Sequence, residues 1–214
     1  MRVSAAKPLA LVHFLVGGCL LSGVAAQADR VVLGPSAETL APNSGRIQFL
    51  LGMKPEQANR VWADYASPAG IELELERLDL HSESKKRYSF NIEYPLLPDF
   101  GATPAVAVGV RDLTGTGVEH GGLYLVLTHS IPLSERVYKI MRSFKTTVGV
   151  GTGSIGGPFA GMEARFGTDL SLHAELYRRR PNVGVSLRLA RNMQANASSL
   201  DGSFYYGLSY TLAR

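Results

Sequence analysis

The feature that most constrains the fold of this chain is a period of two. From residue 46 onward it repeats a run of about 8 to 11 residues in which apolar side chains alternate with polar or small ones, and each run ends in a turn. In RYSFNIEYPLL (87–97), Tyr88, Phe90, Ile92 and Tyr94 oppose Ser89, Asn91 and Glu93. In GIELELERLDL (70–80), Ile71, Leu73 and Leu75 oppose Glu72, Glu74 and Glu76. In LSLHAELYR (170–178), Leu170, Leu172, Ala174 and Leu176 oppose Ser171, His173, Glu175 and Tyr177. RIQFLLGM (46–53), TPAVAVGVRDL (103–113), GGLYLVLTHSI (121–131), KTTVGVGTG (145–153), FAGMEARFG (159–167), VGVSLRLAR (183–191) and SFYYGLSYTLAR (203–214) complete the series. Successive strand residues point to opposite faces, so the pattern predicts an all-β, antiparallel, up-and-down barrel of about ten strands. Pro98-Asp99, Thr168-Asp169 and Pro181-Asn182 supply turn chemistry. One stretch departs from the period: KPEQANRVWADYA (54–66) predicts a short helix or an irregular segment.

A meander of this kind has two solutions. A soluble barrel or sandwich hides its apolar face inside; a membrane barrel turns it outward and keeps a polar lumen. The apolar faces of the best runs carry no charge, and the runs are about as long as a tilted bilayer crossing. The polar faces carry a candidate lumen charge network: Glu72, Glu74, Glu76, Glu93, Arg111, Glu163, Arg165, Glu175 and Arg188. Unpaired charges facing a narrow lumen are costly, so neighbouring strands are expected to pair opposite signs. The last run adds a candidate insertion signal, Gly207 followed by Tyr210 and Leu212 at alternate positions. It resembles the signal of bacterial outer-membrane barrels, except that the chain stops on Ala213-Arg214. These features favour the membrane barrel; a soluble periplasmic barrel binding a small ligand in an apolar core is the alternative.

The first residues support export. Arg2 and Lys7 form a positive n-region, Leu9 to Val24 is apolar, and Ala26-Gln27-Ala28 is an A-x-A site. A signal peptide over 1–28, cut after Ala28, leaves residues 29–214 as a single barrel domain. The only cysteine, Cys19, lies in the leader, where VGGC (16–19) loosely resembles a lipidation box. No later stretch has the roughly 18 apolar residues of a membrane helix. The formal charge of the whole chain is +4, and loss of Arg2 and Lys7 leaves +2. That balance, with no basic run interleaved with aromatics, excludes a nucleic-acid partner. The one basic cluster, RRR at 178–180, reads as a solvated turn or a contact for an anionic headgroup or glycan.

Motifs that would carry chemistry are weak. GTGSIG (151–156) matches G-x-G-x-x-G, but Gly157-Pro158 and another strand follow it, where a dinucleotide site needs a helix. In DLTGTG (112–117), Leu113 stands where a phosphorylated-aspartate loop needs lysine. The adjacent pairs His81-Ser82 and His129-Ser130 point to opposite faces of a strand and cannot act together. His173 and Glu175 with Ser171 share a face and leave an outer-membrane lipid-modifying enzyme as a third reading. No metal-ligand spacing is present, and no cofactor is expected.

TPAVAVGVRDLTGTG (103–117), followed by GGLYLVLTHSI and TVGVGTGSIGGPFAGMEARF, resembles the YjbH-like outer-membrane proteins linked to exopolysaccharide biosynthesis. LGPSAETLAPNSGRIQF (33–49) is similar to the opening of that family, so the resemblance runs from Leu33 to about Leu189. Family members are usually several times longer, and this chain resembles their N-terminal barrel only. The resemblance implies a Gram-negative outer-membrane location, lipid and polysaccharide or export proteins as partners, and no catalytic residue. It also implies that Val106, Val108 and Val110 face lipid, Arg111 the lumen, and that Asp112 to Gly117 turn the chain at the rim.

Overall fold

The structure, a computed structural model, describes residues 30, 32–54, 56–79, 86–116 and 121–212. The expected leader with its cut after Ala28, Cys19, the His81-Ser82 pair and Gly117 lie outside the described residues. Among the described residues the chain forms β1 (Gly45–Gly52), β2 (Asn59–Ala66), β3 (Glu72–Asp79), β4 (Lys86–Leu97), β5 (Ala105–Arg111), β6 (Gly122–Ser130), a one-turn helix α1 (Glu135–Tyr138), β7 (Met141–Gly151), β8 (Gly157–Phe166), β9 (Leu170–Tyr177), β10 (Arg180–Ala190), β11 (Met193–Leu200) and β12 (Ser203–Leu212). Each strand pairs antiparallel with the next, and β1 pairs with β12 from Gly45↔Leu212 to Gly52↔Tyr205, which closes the barrel. Closure leaves no unpaired edge.

The barrel has twelve strands, not about ten. All ten alternating runs are strands; β2 and β11 are additional. The expected helix or irregular segment at 54–66 is corrected here, because residues 59–66 are β2. In that strand Arg60, Trp62 and Asp64 alternate with Val61, Ala63 and Tyr65, a period of two hidden behind a polar, helix-like approach. In β11 the outward residues Ala195, Ala197 and Ser199 are small, so the alternation has no amplitude. The short helix of the structure lies at α1 instead. Pro181-Asn182 does not turn the chain: both residues belong to β10, and the turn is Arg178-Arg179.

The barrel is inverted relative to a soluble protein. Leu123 and Phe204 are 62% exposed on its outer wall, whereas Asp64 and Glu72 inside are 4% and 2% exposed. Val148, Leu172, Leu187 and Tyr206 continue the outer apolar surface. The interior combines these charges with a buried apolar cluster that includes Trp62, Val126, Ile155 and Phe159, and an apolar exterior around a charge-bearing interior is the arrangement a bilayer selects. The parity of each alternating run matches: Val106, Val108 and Val110 point outward, and Arg111 points in. Close approaches inside the wall call for glycine at particular positions. A Cβ on Gly109 would meet the Tyr124 ring at 2.2 Å, so that ring lies across the β5 backbone and its hydroxyl donates to Glu93 (2.8 Å).

β1 begins and β12 finishes at one end of the barrel, here the terminal end; the opposite end is the far end. The far end carries the β5–β6 connection, where Asp112 has φ +51° and Gly115 +64°. The Asp112 carbonyl accepts the Gly115 N–H (3.0 Å), and the Asp112 carboxylate accepts the Thr114 hydroxyl (3.2 Å).

Candidate functional site

A barrel of about eight strands fills its interior with side chains, and one of sixteen leaves an aqueous channel. Twelve strands fall between, and here the extra room is filled by the chain itself. Residues 30 and 32–40, which precede β1, lie within the lumen. From Leu40 near the terminal end the segment runs inward, reaches its innermost point at Leu33–Gly34, and folds back so that Arg30 bridges Pro35. It forms a hairpin plug.

The plug is held mainly through its backbone. The N–H groups of Val32, Leu33 and Gly34 donate to the two carboxylate oxygens of Glu175 at 3.0, 2.9 and 2.9 Å. Asn182, 1% exposed, adds a fourth donor to Glu175 at 2.8 Å. The Ala37 N–H donates to Thr128 Oγ1 (2.9 Å) and the Leu40 N–H to Glu72 (2.8 Å). Two side chains of the segment add ion pairs. Lys145 reaches Glu38 at 2.5 Å. Arg30 pairs with Glu74 and, at 3.5 Å, with Asp64, while its guanidinium stands 4.5 Å from the Trp62 ring centroid. Arg111 clamps the tip, donating to the Leu33 carbonyl (2.8 Å) and the Tyr177 hydroxyl (2.7 Å). Charges buried out of water persist where they are paired and hydrogen-bonded in this way.

The predicted lumen residues fall on the inner face and divide by partner. Glu72 and Glu175 hold the plug backbone. Glu74 takes Arg30 and the Asn91 amide. Glu76 takes Arg60 (3.2 Å) and the Ser89 hydroxyl (3.3 Å), Glu93 takes Tyr124, and Glu163 takes Arg165 (3.1 Å). Arg188 stands apart near the terminal end and, among the described residues, makes no side-chain ion pair; only its N–H is engaged, donating to the Asp169 carbonyl at 2.7 Å. The expectation of pairing among the strand charges alone omitted Arg30, Arg46, Arg60 and Asp64, although Arg46 binds Asp64 at 2.8 Å. Arg60 and Asp64 sit in the run read as a short helix or an irregular segment, and their spacing with Trp62 is the signal for a strand. Of the terminal residues, Gly207 faces inward where a Cβ would land 1.7 Å from the Phe49 carbonyl oxygen, and Tyr210 and Leu212 face outward.

His173 Nε2 lies 3.3 Å from Ser186 Oγ and its Nδ1 3.8 Å from Glu163. Ser171 shares that face but is not the serine His173 meets, and Glu175 is occupied by the plug. This group faces the lumen, on the opposite side of the wall from any lipid acyl chain. Among the described residues no group of three His, Cys, Asp or Glu side chains is arranged to hold a metal ion.

The model of a family described as exopolysaccharide biosynthesis protein YbjH matches residues 76–175, somewhat less than half of the chain. It contains the Thr103–Gly117 segment and is shorter at both ends than the Leu33-to-Leu189 resemblance read from the sequence. No curated protein matches the chain. Among solved structures, the KdgM porin is similar with a TM-score of 0.53 at 11% identity, over 80% of this chain and 99% of that one. The KdgM porin in complex with disordered oligogalacturonate gives 0.52 at 11% identity, with the same shares covered. The NanC porin gives 0.44 at 8% identity, over 80% of this chain and 98% of that one. At these identities the likeness is one of fold: a closed, porin-like β-barrel.

Proposed function

We propose that the chain is a non-enzymatic outer-membrane β-barrel that serves exopolysaccharide biosynthesis or export, made as a precursor cut after Ala28. The observation that carries this reading is the inverted barrel, apolar outside and charged inside, which a bilayer stabilises and water does not. The same observation disfavours the soluble periplasmic barrel, whose apolar face would line a core. The family match supports the link to polysaccharide, and the KdgM porin shows that a barrel of this fold takes a sugar polymer, oligogalacturonate. With the plug in place the lumen is obstructed, so the barrel acts as a closed component that contacts lipid, polysaccharide and export partners.

The test has two readings on cells. In the outer-membrane fraction, an unboiled sample is expected to migrate faster than a boiled one, and a strain lacking the protein is expected to secrete less exopolysaccharide, restored by the intact gene. Recovery from the soluble periplasm as a single band rejects the membrane assignment. Unchanged exopolysaccharide rejects the polysaccharide link.

A further inference from the structure

Between the plug tip at Leu33 and the far end lies a cavity of about 290 Å³. That is at the lower end of the roughly 300–1,000 Å³ of small-molecule sites. Four arginines line it, Arg60 of β2, Arg87 of β4, Arg111 of β5 and Arg178 of the β9–β10 turn, together with three carboxylates, Glu76, Asp112 and Asp201. On its wall the buried Arg60 Nε and Ser154 Oγ have no hydrogen-bond partner. Buried polar atoms are normally satisfied, and an exception asks for an explanation.

The β9–β10 turn points the same way. Arg178 and Arg179 have φ of +55° and +63°. A two-residue turn with both central residues left-handed prefers Asn-Gly or Asp-Gly, and the β11–β12 turn uses Asp201-Gly202. Arginine at either position is costly for the backbone, and of the two Arg178 lines the cavity. Arg178 stands 5.1 Å from the Tyr177 ring centroid on the cavity wall.

We propose that this cavity binds carboxylate-bearing sugar units, the uronate residues of an acidic saccharide; the proposal deepens the polysaccharide reading above and rests on it. A guanidinium presents a planar fork of several N–H donors that matches a carboxylate. Glu76, Asp201 and Ser154 are acceptors and donors for ring hydroxyls, which a simple inorganic anion lacks. The plug floors the cavity, so the geometry is that of a site that holds a chain end.

The experiment is calorimetric titration of the full chain, folded in detergent, with oligogalacturonate, with a neutral cello-oligosaccharide of matched length, and with inorganic phosphate as competitor. Oligogalacturonate is expected to bind, more weakly as salt is added; the neutral chain is not, and phosphate at matched concentration leaves binding unchanged. Arg178→Asn is expected to lower affinity by about tenfold or more, the size of one charge-assisted hydrogen bond. Its melting temperature is expected to hold or rise, because Asn suits the turn. A purely structural arginine would move stability and leave affinity alone. Arg87→Gln, outside the turn, is expected to weaken binding in the same direction. The proposal is overturned if folded protein does not bind the uronate, if the neutral chain binds equally, if phosphate displaces it, or if neither variant changes affinity. These outcomes are read on purified protein and stay separate from failure of the cell-based test of location and polysaccharide.

Discussion

Glu175 receives four donors, three of them consecutive backbone N–H groups of the plug. Replacing it with alanine leaves those donors buried and unpaired, at about 1–3 kcal/mol for each that water does not reach. Glu175→Ala is therefore expected to release the plug tip while the wall stays closed. A cysteine placed at Ala37 should become reactive to a small thiol reagent in that variant and stay protected in the parent, while heat-modifiable migration is kept by both. Glu175→Gln keeps an acceptor oxygen and is expected to fall between the two; equal protection in all three would show that the plug is held elsewhere. The sequence made the parity of Glu175 plain, because Leu172, Ala174 and Leu176 fix the outer face of β9. It gave no sign of what Glu175 binds, because three of its four partners are main-chain N–H groups, which every residue but proline supplies alike.

Among the elements, alternation located ten strands and failed on two for a physical reason. β11 faces outward with alanines and a serine, and β2 hides its outward residues behind a polar approach, so neither offers the contrast from which a strand is read. The connections carry their own chemistry. In the β4–β5 connection, the Asp99 carboxylate accepts the Ser130 N–H at 2.8 Å and the Gly101 N–H at 2.9 Å, tying two neighbouring connections at the terminal end together. Burial pushes this carboxyl up, but the Ser130 and Gly101 N–H groups, joined by the Ser130 hydroxyl and the charge of His129, together outweigh it and hold its pKa below the ordinary aspartate value. A folded value below the unfolded one means that the tie stabilises above the unfolded value, near 3.9, and is lost as pH falls through the folded one. Amide exchange at Ser130 and Gly101 is expected to accelerate only below about pH 4. Asp99→Asn should abolish that dependence; protection that persists unchanged to low pH in the parent would rule the tie out.

For the molecule as a whole, twelve strands and an internal plug make a barrel whose wall and filling are separable. Replacing residues 30–40 with a Gly/Ser stretch of equal length is expected to raise single-channel conductance in planar bilayers from near zero to discrete steps. The melting temperature should fall as well, since Glu72, Glu74 and Glu175 lose partners. Trp62, the only tryptophan, should shift its emission to the red once Arg30 no longer covers its ring. A silent channel with the plug replaced would mean that the wall side chains close the lumen unaided. The plug also carries a consequence for how such a chain changes over generations. Five of its contacts are made by main-chain N–H groups, at Val32, Leu33, Gly34, Ala37 and Leu40. What those positions need chemically is only an N–H, which any residue but proline supplies; their size is set separately, because Leu33, Ala37 and Leu40 are buried and a Cβ on Gly34 would stand 3.2 Å from Glu175 Oε2. Their partners Glu175, Thr128 and Glu72 have no such freedom. The two sides of one interface are therefore under different kinds of constraint, the filling held to the space it occupies and the wall to the chemical groups it presents.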